Sequence, residues 1–419
     1  MKFQAPKGVS EYFPPRSSWF EHVLWKLEES ALAANYRLIE TPIFEDTELF
    51  ARGVGETTDV VTKEMYTFED RGGRSLTLRP EGTAGVIRSI IEHGLDRGQL
   101  PVKVFYKGPY FRAERPQAGR YRQFFQFGIE AVGVDDPALD AEVISVAHLA
   151  FQKLGLVDYE IQINSLGDSE SRKQHREALL KFLAKCDLDE ETKERASKNP
   201  LRIFDDKRPE IQAQLKSAPL LSDFLSSESQ MKFAQVQGHL ADLQIPVVLN
   251  NRLVRGLDYY TGTTFEFVHR KLGAQSTICG GGRYDGLMET LGGSKLTGIG
   301  FGLGIDRTLL ALESEGIELA DRQYVDLYII ALTDSAKKLA LDLALQSRRG
   351  GFVADIAFGE RGLKGSMKAA DKMSAHFVLV IGDDEITSHT GRLKRMSDGE
   401  EFSVSLDSLV ETLRSSATR

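Results

Sequence analysis

The stretch that most constrains the fold is residues 102–133, VKVFYKGPYFRAERPQAGRYRQFFQFGIEAVG, which has the pattern of two strands joined by a polar loop. Side chains along a strand point alternately to its two faces. One face of the second strand carries Tyr121, Gln123, Phe125, Phe127 and Ile129. The opposite face carries Arg122, Phe124, Gln126, Gly128 and Glu130. Pro and Gly in the loop favour a turn, so the sequence predicts a β-hairpin.

The second of these faces has the composition of a ligand pocket. Gln126 and Glu130 flank Gly128, and we expect this glycine to leave the sheet surface open between two polar side chains. Arg112, near the mouth of the hairpin, has the rigid five-donor guanidinium that suits phosphate. An ordinary hairpin with a charged, solvated turn gives the same pattern, so this stretch by itself leaves both interpretations open.

Residues 298–307, GIGFGLGIDR, place a glycine at every second position. In a strand this spacing leaves one face without side chains, at a cost in conformational entropy that calls for a reason. A stacked adenine would supply one, and Arg307 follows at the predicted start of a helix, within reach of phosphates. A flexible glycine-rich strand is the alternative. The sequence has no P-loop string and no GxGxxG after a strand, so ATP would need another architecture.

Two further strings carry polar groups at predicted chain turns. In residues 75–88, SLTLRPEGTAGVIR, a strand changes to a helix at Glu81 and Thr83. Thr83 could cap that helix, and a carboxylate at position 81 could receive a ligand ammonium group. In residues 252–267, RLVRGLDYYTGTTFEF, a loop with Arg255 precedes an alternating strand, and its two tyrosines could simply cover the core.

Composition limits the class of protein. The chain has 419 residues, enough for two or three domains, with 41% apolar and 27% charged residues, as in soluble globular proteins. Its formal net charge of −8 means that any nucleic-acid contact must come from local basic patches. The only cysteines, Cys186 and Cys279, argue against a disulfide framework and fit the reducing cytoplasm. No zinc spacing, secretory signal or membrane span is present.

These strings, in this order, resemble the class II aminoacyl-tRNA synthetases in the form found in histidyl-tRNA synthetases. Residues 102–133 are similar to motif two and residues 298–307 to motif three, while the helix and strand of residues 17–45 are similar to motif one, the dimer interface. The string at 252–267 resembles one peculiar to the histidyl family. The resemblance therefore implies that the chain binds ATP, L-histidine and a histidine tRNA and forms a homodimer.

The implied fold is α+β. An antiparallel class II catalytic domain would span residues 1–322, with a helical insertion at about 168–244, and a small α/β anticodon-binding domain would span 323–419. Four cations of that last domain recur at helical spacing as a basic stripe: Arg361, Lys364, Lys368 and Lys372. A solvated helix face is the usual meaning of such a stripe. The resemblance favours contact with tRNA.

The resemblance also implies roles for single residues. Arg112 and Arg255 would be catalytic, holding the α-phosphate. The other ATP-binding residues would be Arg120, Arg307, Gly302 and Gly304, with magnesium bridging the ATP phosphates and no metal held by the protein itself. Histidine would be bound by Glu81, Thr83, Gln126, Glu130, Tyr259 and Tyr260. The tRNA would be contacted by Arg115, Gln117, Arg361, Lys364 and Lys368.

Two alternatives stay open at this point. A regulatory paralogue of the synthetase would bind histidine without charging tRNA, and it would be expected to lose the Arg255 string or the last domain, both of which are present. A non-catalytic RNA-binding module would use only the C-terminal domain, and the arginines of the ATP site argue against it.

Overall fold

The structure is a computed structural model that describes residues 3–56, 58–206, 208–319, 324–359 and 361–417. The chain divides into two compact units, one of Met1–Tyr12 with Trp19–Leu319 and one of Phe13–Ser18 with Ala320–Arg419. The expected domain boundary between residues 322 and 323 lies outside the described residues. Among the described helices, none combines the length and apolar character that crossing a bilayer requires.

The first unit alternates strands and helices over most of its length. Its strands in chain order are β1 Arg37–Leu38, β2 Phe44–Asp46, β3 Tyr66–Glu69, β4 Ser75–Leu78, β5 Val102–Phe111, β6 Gln123–Val132, β7 Tyr159–Ser165, β8 Val247–Leu249, β9 Thr261–His269, β10 Thr277–Arg283 and β11 Gly298–Gly304. The helices up to residue 315 are α1 Arg16–Ala33, α2 Thr47–Val54, α3 Thr83–Glu92, α4 Pro137–Lys153, α5 Ser169–Leu183, α6 Glu190–Lys198, α7 Pro209–Gln214, α8 Ser227–Asp242, α9 Leu287–Thr290 and α10 Ile305–Glu315.

An eight-stranded sheet organises this unit. The strand order is β1-β5-β6-β11-β10-β9-β7-β8. Pairing is antiparallel from β5 through β7 and parallel at the two edges, where β1 joins β5 and β8 joins β7. The expected α+β fold with a mainly antiparallel sheet is thus confirmed. The predicted hairpin is β5–β6, and the glycine strand β11 lies beside it at the centre of the sheet.

Pro42 divides what the sequence shows as one strand. Residues before it form β1, at the edge of the large sheet, and residues after it form β2, at the edge of a separate three-stranded sheet with the order β2-β4-β3. A proline has no N–H to donate to a ladder, so an interrupted or edge strand is the expected outcome.

Helices pack on the large sheet, and an apolar core lies between them and the sheet. Representative buried residues are Val23 of α1, Ile144 of α4, Leu240 of α8, Phe265 of β9 and Leu309 of α10, each with 0% exposure. The helices α5–α7 enclose a second, small core that includes Leu179, Leu183, Ile211, Leu215 and Ala218. Within the segment 168–244, α8 therefore packs with the large sheet, whereas α5–α7 form a separate small helical cluster with its own core.

The second unit holds a five-stranded sheet with the order β13-β12-β14-β15-β16. Its elements are β12 Val325–Ala331, α11 Asp334–Arg349, β13 Ala354–Ile356, α12 Leu363–Lys372, β14 Ala375–Ile381, α13 Asp383–Ser388, β15 Thr390–Arg395, β16 Glu401–Ser405 and α14 Leu409–Ala417. The β12, β13 and β14 strands are parallel, and β15 and β16 add an antiparallel hairpin. The predicted α/β domain is confirmed, but the sequence reading missed that hairpin and α13.

The prediction that four cations form one basic stripe on a helix was wrong for one of them. Lys364, Lys368 and Lys372 lie on α12 and are exposed. Arg361, however, precedes the N-cap residue Gly362 and is not on the helix. Spacing alone extended the helical pattern past this glycine, where the backbone is extended (φ −63°, ψ 163°).

Candidate active site

A cavity of about 450 Å³ opens beside the central strands β6, β10 and β11. Four arginines line it together with glycines of β10 and β11: Arg112, Arg120, Arg255 and Arg307. Gln126, Gly302 and Gly304, three more of the residues singled out in the sequence, also line it. The sheet therefore brings together positions from 112 to 307 that the sequence could only relate by resemblance.

Arg112 has the fewest hydrogen-bond and ion-pair partners of these four arginines among the described residues. It follows β5 directly, and its guanidinium carbon lies 3.8 Å from the ring centroid of Phe124. Burial, reinforced by the nearby Arg120 and Arg307, lowers its pKa to about 10. Among the described residues no carboxylate forms an ion pair with it, and its Nε is buried without a hydrogen-bond partner. A cation in this state gains most from a charged acceptor such as phosphate.

Arg120 is held by two carboxylates. Its Nη2 lies 2.9 Å from Oε1 of Glu64, and its Nε donates to Glu114. Burial raises the pKa of Glu64, and the positive charge of Arg120 opposes that rise. These pairs fix the guanidinium at the edge of the cavity.

Arg307 is held by neutral acceptors. It donates to the carbonyl oxygens of Gly119 (2.9 Å) and Thr277 (2.7 Å) and to Oε1 of Gln275 (2.6 Å). Burial and the nearby charge of Arg120 lower its pKa. No carboxylate among the described residues forms an ion pair with this side chain, so its positive charge remains available to a ligand.

Arg255 reaches the cavity from the loop before β9. Its Nη1 pairs with Glu266, whose other oxygen accepts the hydroxyl of Thr277 at 2.8 Å. The guanidinium lies 5.3 Å from the ring centroid of Tyr260. A Cβ atom on Gly280 would overlap the guanidinium, so the glycine of β10 makes room for it. Glu266 and Glu64 are site residues that the sequence pattern did not reveal. The signal for Glu266 was a glutamate between the apolar residues Phe265 and Phe267 of β9.

The glycine face of β11 is only half open. A Cβ on Gly302 or Gly304 would lie 3.7 Å or more from any neighbour, and both glycines line the cavity. A Cβ on Gly298 would overlap the ring of Tyr284, and one on Gly300 would overlap the carboxylate of Glu130. The expected bare face is therefore confined to the last two glycines, because side chains from other elements occupy the first two positions.

Glu130 lies behind the cavity and is fully buried. Its carboxylate accepts three hydroxyl groups, from Thr83 (2.8 Å), Tyr106 (3.1 Å) and Tyr284 (2.7 Å). Burial raises its pKa to about 8, and these hydrogen bonds act in the opposite direction. Neither Tyr106 nor Tyr284 was singled out in the sequence, although Tyr284 lies two residues after a run of three glycines at positions 280–282.

The expectation that Gly128 leaves the sheet open was wrong. Tyr106 is its partner across the β5–β6 ladder, and a Cβ on Gly128 would overlap the tyrosine ring. The glycine accommodates a phenol that donates to Glu130. Cross-strand register, which the sequence did not reveal, decides what fills the gap.

Glu81, not Thr83, caps helix α3. Its two oxygens accept the backbone N–H groups of Thr83 (2.7 Å) and Ala84 (2.9 Å). The Thr83 hydroxyl instead donates to Glu130, so Thr83 as a cap was wrong. The hydroxyl of Tyr259 lies 3.4 Å from Glu81, and burial raises the pKa of this carboxyl. The ring centroids of Tyr259 and Tyr260 are 4.6 Å apart.

The residues expected to touch tRNA lie on exposed surfaces. Arg115 and Gln117 are exposed on the β5–β6 loop. Gln117 and Arg120 exchange two backbone hydrogen bonds of 3.0 and 2.9 Å around Gly119, whose φ is +72°. The loop is therefore an ordered turn that connects the cavity to the protein surface. Lys364 and Lys368 belong to the second unit.

Comparison with known proteins identifies the family to which this fold belongs. The family model for histidyl-tRNA synthetase matches residues 8–308, and the model for an anticodon binding domain matches residues 326–416. The chain is 57% identical to the histidine–tRNA ligase of Corynebacterium kroppenstedtii over 413 residues, covering 99% of this chain and 97% of that protein. It is also 57% identical to the histidine–tRNA ligase of Mycobacterium marinum over 418 residues, covering 100% of both.

A solved structure agrees with these relatives. The apo histidyl-tRNA synthetase of S. aureus superimposes with a TM-score of 0.83 at 41% identity, covering 98% of this chain and 100% of that one. The similarity thus includes both units and every string described above. The chain belongs to the histidyl-tRNA synthetase family.

Proposed function

We propose that the chain is an ATP-dependent histidine–tRNA ligase. It would activate L-histidine with ATP to histidyl-adenylate and pyrophosphate and then transfer histidine to the 3′-terminal adenosine of its tRNA. The observation that carries the proposal is Arg112, a buried cation without a described carboxylate partner, in a cavity lined by three further arginines. Family membership supports the same reaction.

The first step places few chemical demands on the protein. The substrate carboxylate attacks the α-phosphorus, the bond to pyrophosphate breaks, and no side chain needs to remove a proton. Catalysis is then positioning and charge stabilisation. Arg112 and Arg255 would stabilise the α-phosphate as negative charge develops, and Arg307 would hold the γ-phosphate. Arg120, tied to Glu64 and Glu114, would close the outer edge of the ATP site.

Gly302 and Gly304 would receive the adenine, since both line the cavity and a Cβ at either position would meet nothing closer than 3.7 Å. Magnesium would bind together with ATP, coordinated by its phosphates. Four carboxylates line the cavity, and each has a partner: Glu64 and Glu266 pair with arginines, Asp59 pairs with Lys63, and Asp306 accepts the hydroxyl of Tyr12. No cluster of three potential metal ligands occurs in the described part of the chain. The donors present therefore fit an ion held mainly by phosphate oxygens.

Histidine would bind between the cavity and the Glu130 cluster. Glu81, Thr83 and Gln126 would contact its α-amino group. When ionised, Glu130 has roughly four lone-pair sites, and the hydroxyls already use three of them. The remaining site can accept the imidazole N–H, while Tyr260, with Tyr259 beside it, would donate to the other ring nitrogen.

We further propose which parts of the chain carry out catalysis and which bind the tRNA. Residues 1–322 would be catalytic, with a helical insertion at about 168–244, and residues 323–419 would bind the anticodon arm. Arg115 and Gln117 would meet the acceptor end of the tRNA. Exposed cations of the second unit would contact its backbone: Arg361, Lys364 and Lys368.

A homodimer in the cytoplasm is part of the proposal. The edge strands β1, β2 and β3, with the residue before β2, expose a group of apolar side chains: Leu38, Ile43, Phe44 and Phe68. The rings of Phe44 and Phe68 meet edge to face at 6.2 Å. Exposed apolar groups at strand edges are typical of an interface, and this region is similar to the motif-one dimer surface.

The test is ATP–pyrophosphate exchange with each standard amino acid in turn. Exchange should depend on histidine and on no other amino acid. Equal exchange with a second amino acid would contradict the assignment. Histidine binding without any exchange would instead favour the silent, histidine-sensing paralogue.

A further inference from the structure

The loop that carries Arg255, Tyr259 and Tyr260 separates two cavities. In front of it lies the 450 Å³ cavity, and behind it lies one of about 220 Å³. Arg255 and Leu257 line both of them. Protein interiors are close-packed, and a segment with open space on two sides has few neighbours to fix it. The position of this loop therefore depends on the contacts at its edges.

Two of those contacts are hydrogen bonds from the helical segment that follows β7. Nη1 of Arg172, on the first turn of α5, donates to the carbonyl oxygen of Tyr260 at 3.0 Å. Nδ2 of Asn199, directly after α6, donates to Oδ1 of Asp258 at 2.7 Å. Both donors are side chains and both acceptors belong to the loop, so the helical segment holds the loop from behind.

Two further interactions act in the same direction. Nη2 of Arg252 donates to the carbonyl oxygen of Leu215 at 2.9 Å, which joins the start of the loop to the small core of α5–α7. Leu221 packs with Leu166 and Tyr260 in one buried apolar cluster. The segment between residues 172 and 221 thus supports the loop along its whole length.

The geometry points to Arg172 and Asn199 as positioning residues for histidine binding. Neither side chain lies in the front cavity. They act through the backbone of Tyr260 and the carboxylate of Asp258, and thereby hold Tyr259 and Tyr260 against the cluster of Glu81 and Glu130. The helical segment then sets histidine affinity even without tRNA. This inference rests on the proposed function, because it assumes that histidine binds beside these tyrosines.

The test compares Arg172→Met and Asn199→Ala with Lys173→Met. Lys173 is the next residue on α5, is exposed, and loses the same charge. In pyrophosphate exchange without tRNA, each of the first two variants should raise the histidine KM about 5- to 10-fold, the effect of removing one hydrogen bond. The ATP KM and kcat should change by less than about 2-fold. Arg172→Lys should recover part of the loss, since an ammonium group can still donate to the Tyr260 carbonyl.

The outcomes separate the two proposals. If the wild-type chain shows no histidine-dependent exchange, the proposed function is wrong and the positioning roles fall with it. If the wild type exchanges normally and both variants keep its histidine KM, only the positioning roles are wrong. A similar rise in the KM of Lys173→Met would also overturn them, because it would point to altered charge or helix stability. Arg172→Met and Asn199→Ala lie on separate segments of the chain. If one of them impairs folding, the other still decides the test.

Discussion

The carboxylate of Glu130 occupies the space that a side chain at Gly300 would need. The two residues are directly paired across β6 and β11. The glycine strand therefore serves two purposes along one face. Its first half admits Tyr284 and Glu130, and its second half, at Gly302 and Gly304, remains open to the cavity.

Gly300→Ala should displace the Glu130 carboxylate and break its bonds to the three hydroxyls, and it should also shift β11 locally away from the Ile129 carbonyl oxygen, which the new Cβ would overlap. Leaving buried polar groups unmatched typically costs about 1–3 kcal/mol, so histidine affinity should fall by about 10-fold or more. ATP affinity should change less, because the open part of the strand is untouched. Histidine and ATP titrations of the purified variant measure both effects.

Gly238→Ala is the matched control for that substitution. Gly238 is exposed within α8, and nothing lies within 4 Å of a Cβ built there. Alanine in a helix interior is favoured over glycine by about 0.5–1 kcal/mol, so this variant should be slightly more stable and bind histidine normally. Unchanged histidine affinity in Gly300→Ala would show that the Glu130 cluster is not part of the histidine site.

The raised pKa of Glu130 gives a pH-dependent stability. Burial raises this pKa from 4.5 to about 8 in the folded chain, so the folded state holds the proton more tightly than the unfolded state. The stabilisation from protonated Glu130 is complete below the pKa that this group has in the unfolded chain. It is lost as the pH rises through the pKa that the group has in the folded chain. Compared with Glu130→Gln, the wild type should lose stability between pH 4.5 and about 8 and then level off. Urea midpoints of both proteins across this range measure the difference, and a constant difference would contradict the shift.

Arg255→Ala should slow adenylate formation more than it weakens histidine or ATP binding. Loss of one preorganised donor to developing charge typically lowers the rate about 10²- to 10³-fold. Transfer from preformed adenylate to tRNA should suffer less. Single-turnover adenylate formation, measured beside an equilibrium histidine titration, separates the two effects. A folded variant with the wild-type rate and merely weaker binding would limit Arg255 to a ground-state role.

Reversing Lys364 and Lys368 to Glu should weaken tRNA binding and leave histidine activation intact, because these lysines lie in the second unit. For every lysine that pairs with a tRNA phosphate, its replacement should flatten the log–log salt dependence of binding by roughly 0.7–0.9. The measurement is tRNA affinity at several salt concentrations.

The control for that charge reversal is Lys338→Glu with Arg349→Glu. Both residues are exposed on α11 of the same unit, and the net charge changes by the same amount. Equal loss of affinity in the control would mean that overall charge, rather than the α12 face, attracts tRNA. Unchanged affinity and salt slope in the α12 variant would make its lysines an ordinary solvated face.

The sequence by itself determined most of the elements and the order of the motif strings. The β5–β6 hairpin, the glycine strand β11 and helices such as α4 follow from periodicities of two and 3.6, which are local properties of the chain. The missed hairpin β15–β16 shows the limit of such patterns. Its strands bury only Gly391, Leu393 and Val404, too few apolar positions to mark an edge hairpin.

Tertiary structure alone decided how the site is filled. Register across β5, β6 and β11 places Tyr106 over Gly128 and Glu130 over Gly300. Long-range packing pairs Arg120 with Glu64 and brings Arg172 to the carbonyl of Tyr260. Such pairings depend on which distant segments meet, and a pattern read along one strand or helix contains no information about its partner.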